Sequence, residues 1–85
     1  MLLKVCAVKD SAADAFGRPF FVPTIGLAMR SFIDEVNNRD SPFNAHPDDY
    51  TLYEIGDFDD NSGLLVSHEF PRLVMRGKEA LTSAE

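Results

Sequence analysis

The sequence predicts a small two-layer α+β domain: a mostly antiparallel sheet, made of an N-terminal strand and a C-terminal hairpin, packed on one amphipathic helix. Three observations carry this. The apolar run Leu2-Leu3-Lys4-Val5-Cys6-Ala7-Val8 stops at Lys9-Asp10-Ser11, as a strand bounded by turn formers does. Ile25, Ala28, Met29, Phe32, Ile33 and Val36 recur at i, i+3, i+4, i+7, i+8 and i+11, one face of an α-helix. Two runs of strand-forming residues then flank Asp59-Asp60-Asn61-Ser62-Gly63, which reads as a hairpin loop.

Along the first strand, residues 2 to 9, Leu3, Val5 and Ala7 share one face, with Lys4 and Cys6 on the other. Residues 11 to 23 have no clean period and hold Gly17, Pro19 and Pro23, so they read as a structured loop that tucks Phe16, Phe20, Phe21 and Val22 into the body. Thr24 can cap the helix by accepting from an orphan amide of its first turn. Arg30 and Asp34 form an i, i+4 pair on the solvent side, and Asn37-Asn38 close the helix, since Asn tolerates C-terminal cap geometry. Residues 39 to 49, with two prolines and several turn formers, read as an irregular connection. Residues 50 to 58 read as a strand with Tyr53 and Ile55 on one face and Leu52, Glu54 and Phe58 on the other. Residues 64 to 70 return as its partner, and Pro71 ends the ladder. Leu73-Val74-Met75, then Gly77 and a small polar end, point to a short helix or a frayed terminus.

Eighty-five residues make one domain, 1–85. Folding such a chain hides only about 63% of its surface, so the core is thin. Short strands with open edges over a thin core predict association into a homo-oligomer. Fourteen acidic against eight basic side chains leave a net charge of −6. That balance excludes a generic nucleic-acid coating protein, which gains affinity by releasing counterions from phosphates. Local basic patches remain compatible with it.

The lone Cys6 rules out an intramolecular disulfide or a thiolate cluster and, between Val5 and Ala7, reads as a small buried hydrophobe rather than a nucleophile. A reducing compartment fits. The N-terminal apolar run is too short for a signal peptide, and no segment reaches the roughly 18 apolar residues of a membrane span. Asp57-Phe58-Asp59-Asp60-Asn61-Ser62-Gly63 starts like a calcium loop, but its glycine is at the seventh position and His68 stands where the bidentate Glu belongs. His46, in His-Pro-Asp-Asp, lacks ligand spacing for zinc. No serine sits in a nucleophile elbow, and Gly17 and Gly26 are isolated rather than part of a phosphate loop. The expectation is therefore a non-enzymatic protein with no metal and no cofactor.

Single-stranded nucleic-acid binding needs aromatic faces beside cations. Two places supply both: Arg18-Pro19-Phe20-Phe21, and Arg39 with Phe43 and Tyr50, which Arg30 could join from the exposed helix face. The bland reading has Phe20, Phe21 and Phe43 covering the ends of the core while the arginines are solvated. The candidate DNA-binding residues are Arg18, Phe20, Phe21, Arg30, Arg39 and Tyr50.

The succession Phe16-Gly17-Arg18-Pro19-Phe20-Phe21-Val22-Pro23, Ala28-Met29-Arg30-Ser31-Phe32, Val36-Asn37, Ser41-Pro42-Phe43, His46-Pro47-Asp48-Asp49-Tyr50 and Ile55-Gly56-Asp57-Phe58-Asp59 resembles the nonstructural protein of gokushoviruses, small single-stranded DNA phages of the Microviridae. The N-terminal Lys-Val-Cys-Ala-Val-Lys-Asp and Pro71-Arg72-Leu73 fit as well, so the resemblance spans about residues 3 to 73. It implies a protein of the host bacterial cytoplasm, kept out of the mature capsid and assigned to viral DNA replication or to the switch toward single-stranded genome synthesis and packaging. It transfers no catalytic or binding residue. Two functions follow as expectations: an oligomer that contacts single-stranded viral DNA through a repeated weak patch, or an adaptor that docks on the replication initiator or the assembling procapsid without touching DNA.

Overall fold

The alternating residues Leu2–Asp10 form β1, which lies inside the sheet and is paired on both sides. In the computed structural model, which describes residues 1–81, β4 (Tyr50–Asp59) runs antiparallel to it along its whole length. Its other side pairs with β2 (Ala15–Phe16) and β3 (Phe20–Val22), and β5 (Leu65–Arg76) joins the far side of β4. The order is β2-β1-β4-β5, with β3 also beside β1, and every pairing is antiparallel. The α+β class read from the sequence is the observed one.

Residues 11 to 23 are more regular than a loop. Asp10 accepts from the Ala12 amide at 3.0 Å, Asp14 takes a left-handed φ of 54°, and the Gly17 amide donates to the Val8 carbonyl at 2.8 Å. The chain is thereby folded back onto β1 in two short strands. Phe20 and Val22 turn inward, but Phe16 and Phe21 stay exposed, because they lie on the opposite side of the sheet from the helix.

α1 (Ile25–Val36) begins where expected: the Thr24 hydroxyl accepts from the Leu27 amide at 3.3 Å. Its buried stripe, Ala28, Phe32 and Val36, meets Cys6, Leu52 and Ala80 to form the core. The helix therefore covers the Cys6 face of β1, leaving the Leu3, Val5 and Ala7 face without a helix over it. Ser41 caps α2 (Pro42–Ala45) by accepting from the Phe43 amide at 3.1 Å, and a 3-10 turn (Pro47–Asp49) leads into β4. The stretch 39 to 49, read as irregular, thus holds two short helical turns. α3 (Gly77–Ala80) closes the described chain, and the Asn37 amide ties it to α1 by donating to the carbonyls of Ile33 (2.8 Å) and Ala80 (3.1 Å). Among the described residues no helix is long and apolar enough to cross a membrane.

Two irregularities correct the strand reading. The β1–β4 register steps from Cys6↔Glu54 to Val5↔Gly56, leaving Ile55 without a counterpart. Such a bulge inverts the alternation beyond it, so Phe58, opposite Leu3, joins Tyr53, opposite Ala7, on one face. On β5 the register jumps from Gly56↔Ser67 to Glu54↔Arg72. Pro71 falls inside the unmatched stretch, where its missing N–H takes no bond from the ladder, and the strand continues to Arg76 instead of ending at residue 70.

At this second bulge His68 Nε2 lies 2.6 Å from Glu54 Oε2, both side chains nearly buried, with the Arg72 guanidinium 3.8 Å from the same oxygen. Removing the imidazole leaves a buried carboxylate short of its closest partner. Hydrogen bonds to charged groups are worth about 1.5–3 kcal/mol. His68→Ala is expected to lower unfolding stability by about 2 kcal/mol in denaturant titrations.

Cys6 is fully buried. Burial, reinforced by the Glu54 charge and partly offset by Lys4, pushes its thiol up to about 11. Since the thiolate is the reactive form, the folded protein is expected to resist thiol reagents at pH 8 and to label fully once unfolded.

Candidate nucleic-acid interface

The sheet face turned away from α1 is built from four cross-strand rows. Phe16, Lys9, Thr51 and Arg76 make the first, and Ala7, Tyr53 and Leu73 the second. Phe21, Val5, Gly56 and Ser67 make the third, and Leu3, Phe58 and Leu65 the fourth. Directly opposed residues of an antiparallel pair share a face, so these rows form one surface. Its four rings meet as two edge-to-face pairs: Phe16 and Tyr53 with centroids 5.4 Å apart, and Phe21 and Phe58 at 5.5 Å. Phe16 is 42% and Phe21 47% exposed.

No Asp or Glu occupies a paired position on this face, and the charges at its paired positions are Lys9 and Arg76; exposed Glu69, in the unmatched stretch of β5, alternates with Ser67 onto the same side. Lys9 Nζ stands 5.6 Å from the Phe16 centroid, a cation–π contact. Lys9 also pairs with Asp14 at 3.5 Å, and Arg76 with Glu79 at 3.6 Å. Both of these carboxylates lie outside the rows and are exposed, so their ion pairs are weak and open to exchange for phosphate. The paired positions of this surface thus set exposed aromatic rings beside two cations, the combination used for stacking bases next to phosphates, with Asp14 and Glu79 at its margin.

The residues singled out in the sequence divide among several places. Arg18, Phe20 and Tyr50 line a cleft of about 530 Å³ on the helix side, where the Phe43 and Tyr50 rings stack at 4.2 Å. Asp10 and Glu35 line the same cleft. The Tyr50 hydroxyl is raised above its ordinary value, first by desolvation and then by the charges of Asp10 and Asp49. Two carboxylates against one guanidinium make this cleft poor for phosphate. Phe21 lies on the opposite, aromatic face; Arg30 points outward from α1 and Arg39 follows it in an exposed connection, neither lining the cleft. Phe16, Tyr53, Phe58 and Lys9 were not singled out. Tyr53 carries the alternation signal, but Phe58 is out of phase until the Ile55 bulge is known.

Among the described residues no three His, Cys, Asp or Glu side chains gather where they could hold a metal ion. Asp59 of the acidic loop instead accepts from the Asn61 amide at 2.9 Å, a bond that with those from Ser62 holds its carboxyl below the usual range, and Gly63 takes a φ of 79°. This is turn chemistry.

No curated protein and no solved structure matches the chain. One family model does, over residues 3–80, and its description is phage ORF5 protein. A match over nearly the whole chain, covering α1 and all of the sheet but Leu2, places this chain in the phage ORF5 protein family.

Proposed function

We propose that this phage protein, of the gokushovirus nonstructural type, is a non-enzymatic accessory of viral DNA replication or single-stranded genome synthesis and packaging, acting in the host bacterial cytoplasm by binding single-stranded DNA. The observation that supports it is the uncovered aromatic face free of carboxylates at its paired positions. Every base has a π-face, so stacking on Phe16, Tyr53, Phe21 and Phe58 is sequence-tolerant. Phosphates are met by Lys9 and Arg76, in exchange for their exposed partners Asp14 and Glu79. Unpaired bases can reach a sheet face in a way that bases stacked inside a duplex cannot.

The rival adaptor reading draws on the acidic cleft on the other side, whose carboxylates suit a basic protein partner. Fluorescence anisotropy separates the two. Labelled oligothymidylate is expected to bind at micromolar protein and a duplex of equal length to bind much more weakly. No binding to single strands at tens of micromolar and low salt leaves the adaptor.

A further inference from the structure

β5 is the terminal strand of the sheet, and among the described residues nothing pairs with its outer side. Pro71 and the unmatched stretch 68–71 interrupt this 12-residue edge, and its regular part before them, Leu65–Ser67, presents a row of unpaired N–H and C=O groups. Natural edges are blunted by charge or proline; here residues 64–67 read Leu-Leu-Val-Ser. Leu64, Leu65 and Val66 are 60% exposed or more, and Phe70, in the bulge just beyond, is 71% exposed. The apolar exposure continues around the edge into a shallow hollow lined by Pro19, Phe21, Ile55 and Leu65.

The whole chain carries surplus surface. A folded monomer of 9.5 kDa exposes about 5,000 Å², whereas this one exposes 5605 Å². Its radius of gyration, 13.2 Å, exceeds the roughly 11.9 Å of a compact 85-residue domain. A single copy is elongated and incompletely buried.

We propose that a second copy of this chain covers the edge, the two β5 strands pairing antiparallel along residues 64–67 across a two-fold axis, with Phe70 of each packed against its partner. A two-fold contact brings the same patch together twice. In a chain of net charge −6, the patch must therefore be one that does not repel itself, and residues 64–67 carry no charge. Pairing through backbone hydrogen bonds at an open edge is a recurring mode of association. It extends the sheet in its own plane and leaves both faces open, so the two aromatic surfaces become one longer platform. The association does not depend on what that platform binds.

Light scattering on the eluting protein, without DNA, tests this at tens of micromolar, a range in which standard interfaces assemble. The expected mass is twice 9.5 kDa. Val66→Lys and Phe70→Asp, each checked for retained folding by far-UV circular dichroism, are expected to elute as monomers. Should either variant fail to fold, hydrogen exchange of the unmodified chain decides: amides within 64–67 are protected when concentrated and lose protection on dilution. A monomeric wild-type protein overturns the proposal. So does a dimer that survives both substitutions, or exchange at 64–67 that ignores concentration.

Discussion

Phe21→Ala combined with Tyr53→Ala is expected to weaken binding of oligothymidylate about a hundredfold while leaving the fold intact, since stacking on one ring is worth about 1–3 kcal/mol per base. Phe21 is half exposed, outside the helix-side core, so truncating it removes mainly a stacking surface. Tyr53 leans on Phe16 in the neighbouring pair, so the two substitutions strike both edge-to-face units. Arg18→Ala, in the cleft on the opposite side, is expected to leave affinity unchanged. The salt dependence carries its own signature. With Lys9 and Arg76 as the cations of the face, a single strand gives a log–log slope of only about −1.4, at roughly −0.7 per phosphate neutralised. Lys9→Ala is expected to halve it. A steep slope, or equal affinity for duplex, contradicts binding dominated by stacking on this face.

Gly56→Ala is expected to destabilise the domain by about 3 kcal/mol, the upper range of overpacking, because the obstruction is backbone that cannot swing aside. A methyl group there runs into the Val66 carbonyl and stands 3.0 Å from Ser67 Cα. To admit it, β4 and β5 must separate at the Gly56↔Ser67 pair, two positions from Phe58↔Leu65. A domain of this size is stable by only about 4–13 kcal/mol, and the substitution is expected to lower the thermal midpoint by at least about 10 °C. An unchanged midpoint in a circular dichroism melt contradicts this account of the strand packing.

These two substitutions mark the boundary of what was legible beforehand. α1 was readable from Ile25 to Val36 with its Thr24 cap, because helical periodicity and capping are local properties of the chain. β1 was readable as an apolar run ended by turn formers, and β4 from its density of strand-forming residues before the acidic turn. The bulge at Ile55 was not: it lies in the register of β4 against β1, a pairing of residues far apart in sequence. With it went the face of Phe58. β2 and β3, at two and three residues, are too short to show a period, and they exist because β1 offers them an edge. Pro71 looked like a stop, since the sequence does not say which side of the strand lacks a partner. The aromatic surface followed the same rule. Phe21 was picked out as a ring beside an arginine, but Phe16, Tyr53 and Phe58 become its neighbours only through cross-strand register. Arg18, adjacent in sequence to the Pro19-Phe20-Phe21 run, was carried to the helix side. Sequence proximity grouped Arg18, Phe20 and Phe21, and the pleat of β3, which alternates Phe20 and Phe21 between faces, separated them.

The most direct measurement is an amide chemical-shift titration of isotope-labelled protein with a short oligothymidylate. Binding as described perturbs residues of the aromatic face, led by Phe16, Lys9, Tyr53, Phe21 and Phe58, and spares Ser31, Glu35 and Phe43 of the cleft. Perturbation centred on the cleft, or none at all, contradicts it.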